Sequence, residues 1–431
     1  MSHDTTSASA FSDRTYAKVT RRLLPFLLVC YVISYLDRVN VGFAKLQMMA
    51  DLGFSDAVYG FGAGIFFIGY FLFEVPSNII LHKVGARPWI ARIMLTWGIL
   101  SAANAFVVTP TQFYFLRFLL GVAEAGFFPG VLLYLTYWFP LERCGRATAL
   151  FMMAVPLTGV IGSPLSGWIL ESADGWHGLA GWQWLFILEA CPAIVACGLV
   201  FGYLSDGIDQ ADWLKEDEKT LLRSNIARDN ERKSIHSLTG AFSQPGVWVL
   251  AAIYFSLVVG LYGVGFWLPT IVKATGVAHP IQIGLLTAIP YGVGALVMIP
   301  VSRRSDRLQE RRWHVAASAF AGGVGLLASV LVAHNTALAL IAMTLATAGI
   351  VTSLPLFWSL PYARLGGVAA AAGLAMINSI GNLGGFVGPN LLGLLSAATH
   401  HTASGVMLLA ISLFIGAVLT WTLPGPVKPA P

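Results

Sequence analysis

The sequence predicts an all-α polytopic membrane protein with twelve transmembrane helices, arranged as two pseudo-symmetric six-helix bundles. Three observations carry this expectation. Of 431 residues, 56% are hydrophobic and only 11% are charged, whereas soluble domains carry roughly 25% charged residues. The apolar residues gather into twelve runs, each near or above the ~20 residues a helix needs to cross a bilayer. A polar stretch at 205–245 splits these runs six and six.

In order, the runs occupy 23–43, 58–81, 89–108, 112–138, 146–169, 183–204, 246–271, 281–301, 313–333, 337–359, 367–396 and 403–423. The runs at 281–301 and 367–396 hold several Gly and Pro, which membrane helices tolerate better than soluble ones. The chain therefore divides into an N-terminal segment (1–22), a first bundle (23–204), a linker (205–245), a second bundle (246–423) and a tail (424–431). Asp212-Trp213-Leu214-Lys215-Glu216-Asp217-Glu218 in the linker reads as a short amphipathic helix of mixed charge, most simply a solvated connection. The polar N-terminal segment lacks the features of a cleaved leader, so the first run is expected to target the chain.

Basic residues set the expected orientation. Arg14, Lys18, Arg21 and Arg22 precede the first run. Lys83, Arg87 and Arg92 follow the second, and Arg143 and Arg146 the fourth. The linker holds six more; Arg303, Arg304, Arg307, Arg311 and Arg312 follow the eighth run, and Arg364 and Lys428 fall on the same side. The opposite side holds only Lys45 and Lys273. Both termini and the linker are thus expected in the cytoplasm, and the net charge of +5 reflects topology rather than a nucleic-acid surface. Cys30, Cys144, Cys191 and Cys197 form no disulfide framework; Cys144 is expected on a cytoplasmic loop, the others inside apolar runs. His279, His334, His400 and His401 show no metal spacing, and no phosphate loop, catalytic triad or cofactor motif is present.

Two runs carry charge at membrane depth: Asp37 and Arg38 in the first, Arg117 and Glu124 in the fourth. Such residues cost at least ~2.5–3.5 kcal/mol on insertion scales, so they imply a partner or a task. At ~1.5 Å per residue, Asp37, Arg38 and Arg117 lie roughly 9 Å from one end of their helices. Glu124 follows Arg117 by two turns, on the same face and near the midplane. An Asp37–Arg117 pair fits this geometry. Glu124, with no arginine within a turn of it, is then the stronger proton carrier. A substrate carboxylate competing for Arg117 would free Asp37 to take a proton. Arginine suits that anchor because its planar fork grips carboxylates with two donors. Arg38 points to another side of the helix, where substrate contact, an outer gate or snorkelling are open to it.

Further candidates are polar or aromatic residues in the runs. Tyr70 and Tyr35 offer hydroxyls, although packing explains both nearly as well. Asn378 and Asn382, four residues apart, could present amides to substrate oxygens or join helices. Trp358 and Ser359 could line a pocket. Glu74 and Glu189 read as structural or gating acids. Residues 222 positions after Arg117 and Glu124 are Ala339 and Ala346, so protons would be handled in the first bundle and substrate shared between both.

Two basic loops carry a family resemblance. Ser302-Arg303-Arg304-Ser305-Asp306-Arg307-Leu308-Gln309-Glu310-Arg311-Arg312 is similar to the loop Gly-x-x-x-Asp-Arg/Lys-x-Gly-x-Arg/Lys of the major facilitator superfamily. Asn78-Ile79-Ile80-Leu81-His82-Lys83-Val84-Gly85-Ala86-Arg87, offset by about 222, resembles the first copy, with His82 where Asp is usual and Asn78 where Gly is usual. The resemblance implies gating roles for Lys83, Gly85, Arg87, Asp306, Arg307 and Arg311, with the usual ion pair after the second helix weakened. Longer runs resemble the anion:cation symporter family within it: Tyr35–Ala44, Gly69–Asn78, Arg117–Gly126 and Trp182–Glu189. That resemblance, closest to bacterial permeases for tartrate, sugar acids and aromatic carboxylates, implies the major facilitator fold in a bacterial inner membrane. It implies proton coupling through Asp37 and Glu124, a substrate or coupling role for Arg117, and substrate contact at Asn382. The expected function is import of an organic carboxylate anion with protons, by a monomer without cofactor. An organic-anion exchanger or exporter is the nearest alternative, and a non-transporting membrane sensor the alternative from another class.

Overall fold

The structure, a computed structural model, describes residues 2–231, 245–364 and 367–424. Arg232, Lys233, Lys428 and most of the tail lie outside them, as does the side chain of Arg364. The described chain is helical throughout, and its twelve spans follow the predicted order. The first is α1 (Ser2–Val39) with α2 (Val41–Leu52); α3 (Asp56–Val84) and α4 (Ala86–Ala103) follow. The fourth is α5 (Pro110–Glu124) with α6 (Phe127–Thr136), the fifth α7 (Leu141–Met152) with α8 (Ala154–Ser172), and the sixth α9 (Gly181–Tyr203). After α10 (Glu216–Glu231) come α11 (Pro245–Ala274), α12 (Pro280–Leu308), α13 (Arg312–Leu331) and α14 (Thr336–Arg364). The eleventh span is α15 (Gly367–Asn382) with α16 (Gly384–Thr399), and the last is α17 (Ala403–Thr422). Ten stretches among the described residues are long and apolar enough to cross a membrane. Arg87 and Arg92 dilute the third span.

Local chemistry starts the helices. Ser55 caps α3 by accepting from Val58 N (3.3 Å), and Thr109 caps α5 through Gln112 N (3.3 Å) with Pro110 in the first turn. Residues before 23 were expected outside the first helix, but α1 already runs from Ser2. This extension docks on the linker helix: Lys18 pairs with Glu218 at 2.6 Å, and Asn225 donates to Tyr16 at 3.0 Å. The linker helix begins at Glu216, not Asp212, because Glu216, Asp217 and Glu218 suit the positive first turn. Trp213 instead stacks on Trp138. Cys144, expected on a loop, is buried in α7 beside the carbonyl of Phe139.

The two bundles meet mainly along α3 against α16 and α8 against α12. Large apolar side chains such as Leu296, Leu331 and Ile341 remain exposed on the outside, as a lipid-facing wall requires. Within the first bundle, α3 and α5 cross so closely at Gly121 that a Cβ there would sit 1.9 Å from the Phe66 carbonyl oxygen. Helix–helix contact in membranes relies on such small residues. Gly121→Ala is therefore expected to lower stability by about 1–3 kcal/mol, read as earlier thermal unfolding in detergent. An unchanged midpoint would show that the two backbones can separate freely. The fourth span breaks just past Glu124, at Ala125 and Gly126, where Gly126 adopts φ +87°. A side chain there would also strike the Ser77 hydroxyl. The break leaves Glu124 as the last residue of α5.

Candidate functional site

Arg38 stands where the two bundles meet. Its guanidinium forms an ion pair with Glu124 of α5 and donates to the Tyr262 hydroxyl of α11 at 2.6 Å. Ser34, one turn earlier on α1, donates to the same Glu124 oxygen at 2.6 Å. The faces of Phe66, Tyr70, Tyr35 and Tyr262 lie 5.2–5.9 Å from the Arg38 carbon, forming an aromatic cage. All of these groups are buried. In so dry a setting the pair draws its strength from these added hydrogen bonds, Ser34 to Glu124 and Arg38 to Tyr262, although Arg38 Nε has no partner among the described residues.

The expected pairing is thus exchanged. Glu124 is not free of arginine, and Asp37 forms no ion pair with Arg117 among the described residues. Asp37 accepts from Trp97 Nε1 (3.0 Å) and Ser101 Oγ (2.8 Å), both on α4. Neighbouring residues of a helix point about 100° apart, so Asp37 turns into its own bundle while Arg38 turns to the interface. Arg38 neither snorkels nor reaches an outer surface.

Arg117 is fully buried, 0% exposed, and its best contact is a 3.4 Å approach of Nη2 to the Arg38 carbonyl. Its Nε and Nη1 have no hydrogen-bond partner among the described residues, and Phe66 covers one face at 5.3 Å. It has two donors to spare, against one, Nε, on Arg38. Tyr70 contributes its ring face to Arg38, and the Tyr35 hydroxyl has no partner among the described residues.

A second polar cluster also joins the bundles. Asn378 donates to Glu74 at 2.5 Å, and Ser379 to its other oxygen at 3.3 Å. Asn382, one turn further along α15, adjoins the same carboxyl. The structure therefore brings Glu74, read from the sequence as a separate structural or gating acid, onto the Asn378 and Asn382 pair. Trp358 packs edge-on against Tyr254 at 4.9 Å, while Ser359 lies over the Pro355 carbonyl. Glu189 accepts from Ser166 at 2.6 Å within the first bundle.

At the basic loops, Asp306 pairs with Arg311, whose guanidinium also reaches Ser305. Arg307 and Lys83 are exposed. Gly85 has φ +95°, and the next turn is capped by Asp206, which accepts from Arg87 N at 2.9 Å. An acid from the end of the sixth span thus serves the loop that carries His82 in place of Asp. His82 meets the Tyr137 hydroxyl at 3.1 Å.

Sequence reasoning missed Ser34, Trp97, Ser101, Asp206 and Tyr262. Ser34 and Ser101 are single hydroxyls in apolar runs, and Tyr262 looks like one more packing aromatic. A usable signal lay in Tyr262 being 222 residues after Asn40, which places it on the matching stretch of the second bundle.

Comparison with known proteins agrees with this architecture. The family model described as Major Facilitator Superfamily matches residues 27–389. A protein of Agrobacterium vitis named "Putative tartrate transporter" is 48% identical, covering 96% of each chain. A Pseudomonas putida protein named "Putative metabolite transport protein NicT" is 47% identical over 95% of this chain and 94% of its own. A solved bacterial homologue of the human lysosomal transporter Spinster, inward-facing and occupied, superposes with a TM-score of 0.74 at 15% identity, covering 93% of this chain and 95% of that one; this likeness concerns the fold. The chain is a multi-pass membrane transporter rather than an enzyme, and it belongs to the major facilitator superfamily.

Proposed function

We propose that this protein is a proton-coupled symporter that imports an organic carboxylate, such as tartrate, a sugar acid or an aromatic acid, across a bacterial inner membrane. Both termini lie in the cytoplasm, and each monomer works alone. The observation that carries this reading is the Arg38–Glu124 pair, buried between the bundles and tied to the second bundle through Tyr262. A substrate carboxylate entering the cage competes with Glu124 for Arg38. A carboxylate deprived of its cation in a dry site takes up a proton rather than remain charged. Substrate binding and proton uptake are then one event. Asp37, held by Trp97 and Ser101, is the second proton site, and Arg117 supplies further donors to the substrate anion.

Asn378 and Asn382 offer amides from the second bundle, but Glu74 now occupies Asn378. Substrate oxygens must displace Glu74 to use that amide. Doing so would undo a link between the bundles, which fits alternating access around a midplane site. Tyr70 and Tyr35 shape the cage, while Trp358 and Ser359 line the substrate path from the second bundle. Lys83, Gly85, Arg87, Asp306, Arg307 and Arg311 form the cytoplasmic loops that open and close with the bundles.

The test is uptake into proteoliposomes driven by a pH gradient, using tartrate, sugar acids and aromatic carboxylates with wild type and Glu124→Gln. Wild type is expected to concentrate one of these acids, whereas the variant exchanges that acid without concentrating it. Exchange by wild type that ignores the gradient would sink proton coupling and favour the exchanger reading.

A further inference from the structure

Lys45 and Lys273, the two basic residues expected opposite the linker, both fasten one bundle to the other. Lys45 lies on α2 and is buried, although sequence reasoning put it in a loop. Its ammonium pairs with Asp56 at 2.9 Å within the first bundle. The same nitrogen sits 3.2 Å from the ring centre of Trp267, on α11 of the second bundle, and 4.7 Å from that of Tyr59. Tyr59 meets Trp267 edge-on at 5.4 Å, and its hydroxyl donates to the Phe266 carbonyl at 2.9 Å. Lys273, at the end of α11, donates to the Leu46 carbonyl at 3.1 Å.

We infer that Lys45 and Trp267 form a latch that holds the face opposite the linker closed. An ammonium over a tryptophan face is attracted by the ring quadrupole, most strongly where water is excluded. Asp56 and Tyr59 move with Lys45, since they belong to the same bundle. Trp267 and Phe266 move with the other. Opening that face must therefore part Lys45 from Trp267 and expose an ammonium still paired with Asp56. The split assigns Asp56 to positioning the lysine and Trp267 to sensing closure. The cluster contains none of the groups assigned above to substrate or protons, so the latch needs only alternating access between the bundles.

The test is the labelling rate of one reporter cysteine by a maleimide in detergent. Thr287→Cys serves, because Thr287 is buried in a small cavity between the bundles, lined also by Asn40, Ser166, Gly265 and Tyr291. The four native cysteines are first replaced by Ser. Lys45→Met and Trp267→Leu are each expected to speed labelling roughly tenfold. Lys45→Arg, which keeps a cation over the ring, is expected to stay within about twofold of the parent. Equal rates in the parent, Lys45→Met and Trp267→Leu would overturn the latch. A parallel protein that keeps only the buried Cys30 separates opening from unfolding. If Cys30 accelerates as much as the reporter, the variants have loosened the bundle and the latch is also overturned.

Discussion

Arg38→Met is expected to abolish transport and to destabilise the protein by about 3–5 kcal/mol. The loss follows from what remains. Glu124 would stay buried with Ser34 as its hydrogen-bond donor, and the Tyr262 hydroxyl would lose its contact across the interface. An uncompensated buried charge costs far more than the intact pair contributes. The double variant Arg38→Met/Glu124→Gln removes both charges and should therefore recover most of the stability while transport stays absent. Thermal unfolding in detergent, combined with uptake, separates the two effects. Arg38→Lys keeps the charge, but a single ammonium cannot reproduce the fork that reaches Glu124 and Tyr262 together. It should unfold later than Arg38→Met and still transport at least about tenfold more slowly than wild type. If the double variant unfolds as early as Arg38→Met, the two charges do not depend on each other.

The helices were legible because membrane burial writes itself into long apolar runs, and the loops because polar residues interrupt those runs. Asp37, Arg38, Arg117 and Glu124 were legible for a related reason: charge in such a run has few innocent explanations. The partners were not. A sequence gives the rotation of one residue relative to the next along a helix, but not the rotation of the helix against its neighbours. Asp37 and Arg38 differ by a single position, so a modest turn of α1 decides which of them meets α5. Depth alone suggested Asp37 with Arg117, and the packing of α1 against α4 sends Asp37 to Trp97 and Ser101 instead. Breaks were equally hidden. The sequence around Gly126 reads as one continuous apolar run, yet the contact with Ser77 leaves room only for glycine. Glu74 was legible as a gating or structural acid, but its link to Asn378 joins residues 304 positions apart and depends on how the bundles dock.

Arg117→Met is expected to leave stability unchanged or raise it, while uptake falls roughly 100-fold or more. The two effects have one cause. Arg117 is a fully buried guanidinium with two nitrogens unpartnered among the described residues, so its desolvation is offset only by the long contact with the Arg38 carbonyl in this state. A methionine of similar length fills the space beside Phe66 without that cost. A protein keeps such a group when something else uses it, and free donors at the height of Arg38 suit an anion held in transit. Two charge-assisted hydrogen bonds of about 1.5–3 kcal/mol each account for the expected loss of uptake. Arg117→Lys should recover little, because a point charge cannot match a carboxylate with two parallel donors. The decisive readout is the pair of numbers together. If Arg117→Met is less stable by several kcal/mol, Arg117 is a structural partner of Asp37 or Glu124 in the working protein. If uptake survives with its KM unchanged, the substrate anion is held by Arg38 without it.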